Sequence, residues 1–406
     1  VTDARAVAEQ TVRASYGRLL AWLCARTGDV SSAEDALADA FRAALEHWPR
    51  TGVPSSPEAW IITAARRKLI DNARRATTRS AASSQLLIAA EEAEARTSSD
   101  APFPDERLKM MFICAHPAID ENVRTPLMLQ TVLGLDAARI ASAFLTSPNA
   151  MSARLVRAKR KIKAAAVPFI EPPMEELDIR IGAVLDAIYA AFGAGWDAQE
   201  SSPGGDLTGE ALFLAKVLTD VAPDQPEAWG LLSLMAHAEA RRDARLVNGA
   251  YVPLSEQDVS LWDHGLIAFA ENALGKAWAL KRSGRYQLEA AIQSAHATSR
   301  LSGRDVSLDI IRLYEALLEY APSAGAEVGY AAALANAHRH KDGLLVLDRI
   351  ESRMITTHQP YWAVRAHILK AIGEHDSANA AFDRAMGLSS DEAVRNFLRQ
   401  RKDVHN

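Results

Sequence analysis

Cysteine is almost missing from this chain: two of its 406 residues, Cys24 and Cys114, carry a thiol. That excludes a disulfide framework, and because each lies within an apolar helical pattern, both are expected to be buried thiols in a reducing compartment. Neither has neighbours at metal-ligand spacing, so no metal is expected. Long apolar runs are missing too. No stretch approaches the roughly 20 residues that a membrane-spanning helix needs, and the opening VTDARAVAEQ lacks the basic start and apolar core of a secretory signal. The expectation is a cytoplasmic protein without membrane contact. A nucleophile elbow, a Walker loop, a dinucleotide fingerprint and a paired-histidine zinc motif are all absent as well. The chain therefore reads as a non-enzyme that needs no cofactor.

Alternating β-branched runs are scarce, whereas alanine is abundant and apolar residues recur at the 3.6-residue period, so the predicted fold class is all-α. The length suits two to four domains. A formal net charge of −5 means that any binding to nucleic acid must come from local basic patches.

One such patch is the segment DAARIASAFLTSPNAMSARLVRAKRKIK, Asp136 to Lys163. It reads as two short helices around a tight turn. Ser147 can cap the second helix, and Pro148 suits its first position, where a missing N–H costs nothing. Met151, Leu155, Ala158 and Ile162 then recur on one stripe that should be buried. The free side carries Asn149, Ser152, Ala153, Arg154, Arg157 and Arg160, and from Ser147 to Lys163 there are six Lys or Arg and no Asp or Glu. Such a surface suits phosphate neutralisation, with residues near the helix start able to reach base edges. A solvated face on an ordinary bundle helix has the same pattern.

A second basic helix is predicted from Ser56-Pro57 to about Arg79, with Ile62, Ala65, Leu69 and Ala73 as its apolar stripe. Arg67, Lys68, Asp71, Arg74 and Arg75 project on the other side, Arg66 and Arg79 lie at its margins, and Trp60 stands off the stripe. Trp60 could stack on an unpaired base or pack against a neighbouring helix. Upstream, SAEDALADAFRAALEHW should bury Leu37, Phe41, Ala44, Leu45 and Trp48 and expose Asp35, Asp39, Arg42 and Glu46.

The order of these pieces, an acid-faced helix, a basic helix SPEAWIITAARRKLIDNARR, a polar linker and a helix-turn-helix ending RLVRAKRKI, resembles the extracytoplasmic-function (ECF) group of bacterial sigma factors over about residues 5 to 168. The resemblance implies two small helical sigma domains, region 2 over 1–79 and region 4 over 105–168, joined by a flexible linker over 80–104. It implies that Asp35, Asp39, Arg42 and Glu46 dock on RNA polymerase core, through its β′ and β subunits, with Phe41 structural. The family often has Gln where this chain has Ala38. The −10 contacts would fall on Trp60, Arg67, Lys68, Asp71, Asn72, Arg74 and Arg75, and the loop from Arg50 to Ser56 would capture a flipped base. The −35 contacts would fall on Asn149, Ala150, Ser152, Ala153, Arg154, Arg157 and Arg160, with Ala150 and Ala153 suited to thymine methyl groups.

PFIEPPMEELD, from Pro168 to Asp178, reads as a hinge, so an extension domain is expected over 169–285 and helical repeats over 286–406. Trp362, Ala366, Leu369, Gly373, Ala378, Phe382 and Ala385 fall at tetratricopeptide (TPR) packing positions, and Tyr330 to Ile350 reads as a degenerate pair with Gly343 at its turn. The chain resembles the sigma-factor subgroup with a TPR-like helical C-terminal extension, whose motifs appear here as QDVSLWD and YQLEAAI. Arg241, Arg245, Asp258, Trp262, Asp263, Tyr286 and Gln287, with Glu239, Gln257, His264 and His296 nearby, either line a ligand pocket or fix a buried polar network. Functionally, the sequence points to an alternative sigma factor whose partners are polymerase core, promoter DNA and a regulatory protein or ligand at the extension. A ligand-responsive helix-turn-helix regulator and a TPR-like scaffold are the alternatives.

Overall fold

The computed structural model describes residues 4–77, 105–144, 146–165, 167–169, 172–196, 206–351 and 355–403. Contacts divide the chain into two units, residues 1–221 and residues 222–406. Both are built from helices, as the periodicity requires.

In the first unit, α1 (Ala4–Thr27), α2 (Val30–Thr51) and α3 (Pro57–Thr77) pack against one another. Asp29 starts α2 by accepting the backbone N–H groups of Ser31 and Ser32, at 3.1 and 3.2 Å, and Gly52 ends it with φ +86°. The apolar stripe of α2 buries Leu37, Phe41, Ala44 and Trp48, but Leu45 remains 37% exposed because Ala44 and Trp48 already close the contact. On α3 Ala65 is buried as expected and so is Ile61, with Ile62 and Leu69 half-buried, so Ile61 takes the place expected for Ile62, while the side chain of Ala73 lies outside the described residues.

Helices α4 (Glu106–Cys114), α5 (Glu121–Thr131), α6 (Ala137–Ala143) and α7 (Pro148–Ala164) form the next group. The Ser147 hydroxyl accepts from the Ala150 N–H at 3.2 Å, Pro148 occupies the first turn, and Met151, Leu155, Ala158 and Ile162 are buried. Cys24 and Cys114 are free and buried. Burial pushes the Cys114 thiol up to about 12 and the Cys24 thiol well above its ordinary range, so neither forms the reactive thiolate readily.

Helices α8 (Met174–Trp196) and α9 (Leu207–Val221) also pack within this unit, so the hinge at Pro168 starts a helix pair that belongs with the residues before it. The ties are specific. Arg180, on α8, donates to the Phe112 carbonyl at 3.2 Å and pairs with Glu176, while Arg107, on α4, pairs with Glu210 on α9.

The second unit starts with α10 (Pro226–Glu239), a short α11 (Arg242–Arg245) and a two-stranded hairpin, β1 (Leu246–Val247) and β2 (Ala250–Tyr251). The hairpin departs from the all-helical pattern, and its signal is the Asn248-Gly249 pair, both at positive φ, as a primed two-residue turn demands. Then follow α12 (His264–Ala279), α13 (Arg285–Ser302), α14 (Ser307–Tyr320), α15 (Ala324–Asn336), α16 (His340–Arg349), α17 (Gln359–Ala371), α18 (His375–Leu388) and α19 (Glu392–Asp403). Consecutive helices pack pairwise, and α19 meets β2, where Phe397 lies edge-on to Tyr251 at 5.3 Å. Ala366, Leu369, Ala378, Phe382 and Ala385 form one buried cluster, and Gly373, at φ +86°, turns α17 into α18. Gly343 is not at a turn. It sits in the first turn of α16, where its missing Cβ admits the Ala331 carbonyl oxygen to within 2.8 Å of the place a Cβ would occupy, and His338 makes the turn instead.

Gly17 marks the tightest helix approach in the first unit, because a Cβ there would overlap the backbone carbonyl of Val132. Backbone cannot rotate out of the way as a side chain can. Gly17→Ala should therefore destabilise the chain by about 1–3 kcal/mol, measured by denaturant unfolding against Gly182→Ala, where a Cβ meets nothing within 4 Å.

Candidate nucleic-acid interface

The candidate interface is built from α2, α3 and α7. On α2, Asp35, Arg42 and Glu46 are exposed and Asp39 is half-buried. Asp39 bridges two helices: Lys68 of α3 reaches it at 2.7 Å and Arg42 of α2 at 2.7 Å. The Lys68 hydrogen bond holds the Asp39 carboxyl below the usual range, helped by the charges of Lys68 and Arg42 against a small burial effect. Two residues assigned by the sequence to different partners are thus joined to each other, Asp39 from the polymerase set and Lys68 from the −10 set.

Along α3, Arg67, Asp71 and Asn72 are exposed. Trp60 is half-buried, with its ring edge-on to Trp48 at 5.6 Å and tilted against His47 at 6.4 Å. Its ring therefore secures α3 to α2. Arg66 lies 6.0 Å from the Trp22 ring. The side chains of Arg74 and Arg75 and all of Arg79 lie outside the described residues.

The basic face of α7 is where sequence and structure agree most closely. Asn149, Ser152, Ala153, Arg154, Arg157 and Arg160 are exposed and Ala150 is half-buried. These side chains lie opposite the buried stripe, a geometry that can meet phosphates along the helix and base edges near its start.

Sequence reasoning missed what two of the three lysines of α7 do. Lys159 is only 9% exposed and contacts both carboxylate oxygens of Glu34 on α2, at 2.6 and 2.7 Å. Lys163 reaches Asp29, the N-cap of α2, at 2.6 Å. The two pairs form a clasp, since lysines one helical turn apart meet acids at the start of another helix. Both signs are also favoured by the helix ends, anions at the start of α2 and a cation at the end of α7. Burial raises the Asp29 carboxyl, but the hydrogen bonds from Lys163 and Ser32 outweigh it and hold the group below its ordinary value. The only sequence signal was the four-residue spacing of Lys159 and Lys163, which looked like more of the same basic face.

In the second unit the polar residues singled out by the sequence separate into two sets. Asp258 accepts from the Ser260 N–H at 2.9 Å and Asp263 from the Leu266 N–H at 2.9 Å, so both are helix caps. The backbone N–H groups of Tyr286 and Gln287 donate to Glu227 at 2.9 and 3.0 Å, which starts α13. Arg241, Arg245, Trp262 and Tyr251 remain together near the hairpin. Among the described residues no group of three or more His, Cys, Asp or Glu could hold a metal ion, and no helix is long and apolar enough to cross a membrane.

An uncharacterized protein of Rhizobium meliloti (strain 1021) is 33% identical to this chain over 378 residues, covering 91% of this chain and 89% of that protein. This chain belongs to the same family. Within it, residues 11–79 match sigma-70 region 2, which spans most of α1, all of α2 and α3, and supports a sigma-factor role in transcription initiation. Residues 180–278 match a family of unknown function, DUF6596, running from α8 to α12. No solved structure matches the chain. The clasp therefore joins the region 2 segment of this family member to its basic helix α7.

The two ends of the clasp differ in strength. Lys163 is 67% exposed, so its pair with Asp29 is open to salt and worth about 0–1 kcal/mol. The sheltered Lys159–Glu34 pair should show a coupling of about 1–3 kcal/mol in a Lys159→Met, Glu34→Gln double-mutant cycle read by denaturant unfolding. Because the folded Asp29 carboxyl lies below its unfolded value, its contribution is present above the unfolded value and lost as pH falls through the folded one. A cycle on Lys163 and Asp29 should give a smaller coupling that vanishes in strong acid.

Proposed function

We propose that the protein is an alternative sigma factor of the ECF type. It binds RNA polymerase core through Asp35, Asp39, Arg42 and Glu46 of α2, meets the −10 element through α3 and the adjoining loop at Arg50 to Ser56, and reads the −35 element through α7. The observation that carries this reading is the pairing of a region 2 match with a second exposed arginine face, that of α7, in one unit. Melting DNA costs a few kcal/mol per unstacked step. A protein that assists it needs backbone charge on one helix set and separate sequence readout on another, which is the division between α3 and α7.

The second unit is, in this reading, a regulatory TPR-like extension. Its antiparallel helix pairs, α15 with α16 and α17 with α18, bury small and large residues in the alternation that such repeats use. A simple helix-turn-helix regulator has no use for region 2, and a pure scaffold has no use for either basic helix.

The direct test is transcription with purified polymerase core, the full chain and candidate promoter DNA. The expected result is core binding and initiation at an asymmetric two-part promoter. Failure to bind core would overturn the proposal. Arg157→Ala should weaken binding to the upstream element by about 1–3 kcal/mol and relax its sequence preference if Arg157 contacts a base, while a uniform loss across sequences with a shallower salt slope would assign it to a phosphate.

A further inference from the structure

Arg241 follows α10, and its guanidinium is half-buried against the second unit. Its Nε donates to the His237 carbonyl at 3.0 Å and one Nη donates to the Gln293 side-chain oxygen at 2.6 Å. Both acceptors are neutral. Among the described residues no carboxylate lies within ion-pair distance, and three of the five N–H donors of a guanidinium are left without a protein acceptor. Carboxylates of the same unit are engaged elsewhere: Glu239 holds Arg242, Glu271 holds His237 and Ser294, and Asp391 accepts the N–H groups of Ala393 and Val394.

The neighbours are donors as well. Trp262, 3% exposed, lies 5.9 Å from the Arg241 guanidinium carbon, and its indole N–H has no partner. The Tyr251 hydroxyl makes no hydrogen bond among the described residues and is close enough to feel the Arg241 charge. His296 is held neutral, its imidazole lowered to about 4 by burial and by Arg241. Burial likewise lowers Arg241 itself to about 10. Arg241 is half-buried with no counter-charge among the described residues, and a cluster of unpartnered donors around a cation has the complement of an anion.

We infer that Arg241, Trp262, Tyr251 and His296 form a binding site for the oxyanion of a small molecule, a carboxylate or a phosphate. The free end of the guanidinium supplies a fork, the indole N–H a third donor, and the phenol a fourth. The hairpin and the loop from Val252 to Gln257 adjoin the site. That loop is tied down at two points: the Gln257 side-chain amide donates to the Val252 carbonyl at 3.2 Å, and Arg300 of α13 donates to the Gln257 carbonyl at 2.8 Å. The site belongs to the second unit and the proposed promoter surfaces to the first, and its test involves neither DNA nor polymerase.

The experiment titrates the full chain with sodium acetate, sodium succinate and inorganic phosphate, each against sodium chloride at equal ionic strength. The readout is the NMR signal of the Trp262 indole N–H, assigned with Trp262→Phe. A saturable downfield movement with at least one oxyanion is expected, and which probe succeeds separates a carboxylate ligand from a phosphate. Arg241→Met should weaken that binding at least tenfold, and Arg241→Lys, which keeps the charge without the fork, by less. Arg304→Met, at an exposed arginine of the same unit, should bind as the wild type does. If no oxyanion moves the signal beyond chloride, or if the Arg241→Met chain, folded by circular dichroism, binds as tightly as the wild type, the inference is overturned.

Discussion

The first unit depends on a charge clasp. Lys159 and Lys163 stand one turn apart on α7 and meet Glu34 and Asp29 at the start of α2. Chain connectivity does not bring these helices together, since well over a hundred residues of sequence separate the partners. Apolar packing between α1 and α4 supports the arrangement, with Cys24 and Cys114 buried among the residues that close it. Packing alone tolerates rotation of one helix against another. Two ion pairs, one sheltered and one exposed, fix the direction in which α7 points its remaining arginines.

In the proposed function that direction matters. A basic helix has cations all round, and a helix that used them indiscriminately for folding would have none left for DNA. Here the division follows the helical period: Lys159 and Lys163 pair with acids of α2, the first sheltered and the second exposed, whereas Arg154, Arg157 and Arg160 stay exposed on the other side. The region 2 segment shows the same economy of side chains, with Asp39 tied to Lys68 while Asp35, Glu46 and Arg67 remain exposed.

Much of this was legible in the sequence because it is local. The cap at Ser147 with Pro148, the buried stripe from Met151 to Ile162 and the turn at Gly373 all depend on residues within one or two turns of each other. The misreadings are equally physical. Leu45 and Ile62 show that a helical stripe read from periodicity alone is uncertain by one position, because the neighbour's shape decides which residues at the margin are covered. Gly343 looked like a turn residue, but a glycine also serves where two backbones approach, and only the tertiary contact with Ala331 separates the two uses. The partners of Lys159 and the neutral surroundings of Arg241 were beyond reach, since both are set by residues distant in sequence. For Asp258 and Asp263 the sequence leaves a ligand pocket and a polar network both open, and their short side chains close on backbone N–H groups two and three residues ahead.

The clasp holds α7 on the region 2 segment with its arginine face outward. Spin labels at Ala38→Cys on α2 and Arg160→Cys on α7, both exposed positions, report it by pulsed-EPR distances in the full chain, and the two buried native thiols leave labelling selective. The clasp should give one narrow distance distribution that broadens when Lys159 and Lys163 are both replaced by Met. A broad distribution in the unaltered clasp, or a narrow one that survives the double replacement, would contradict it.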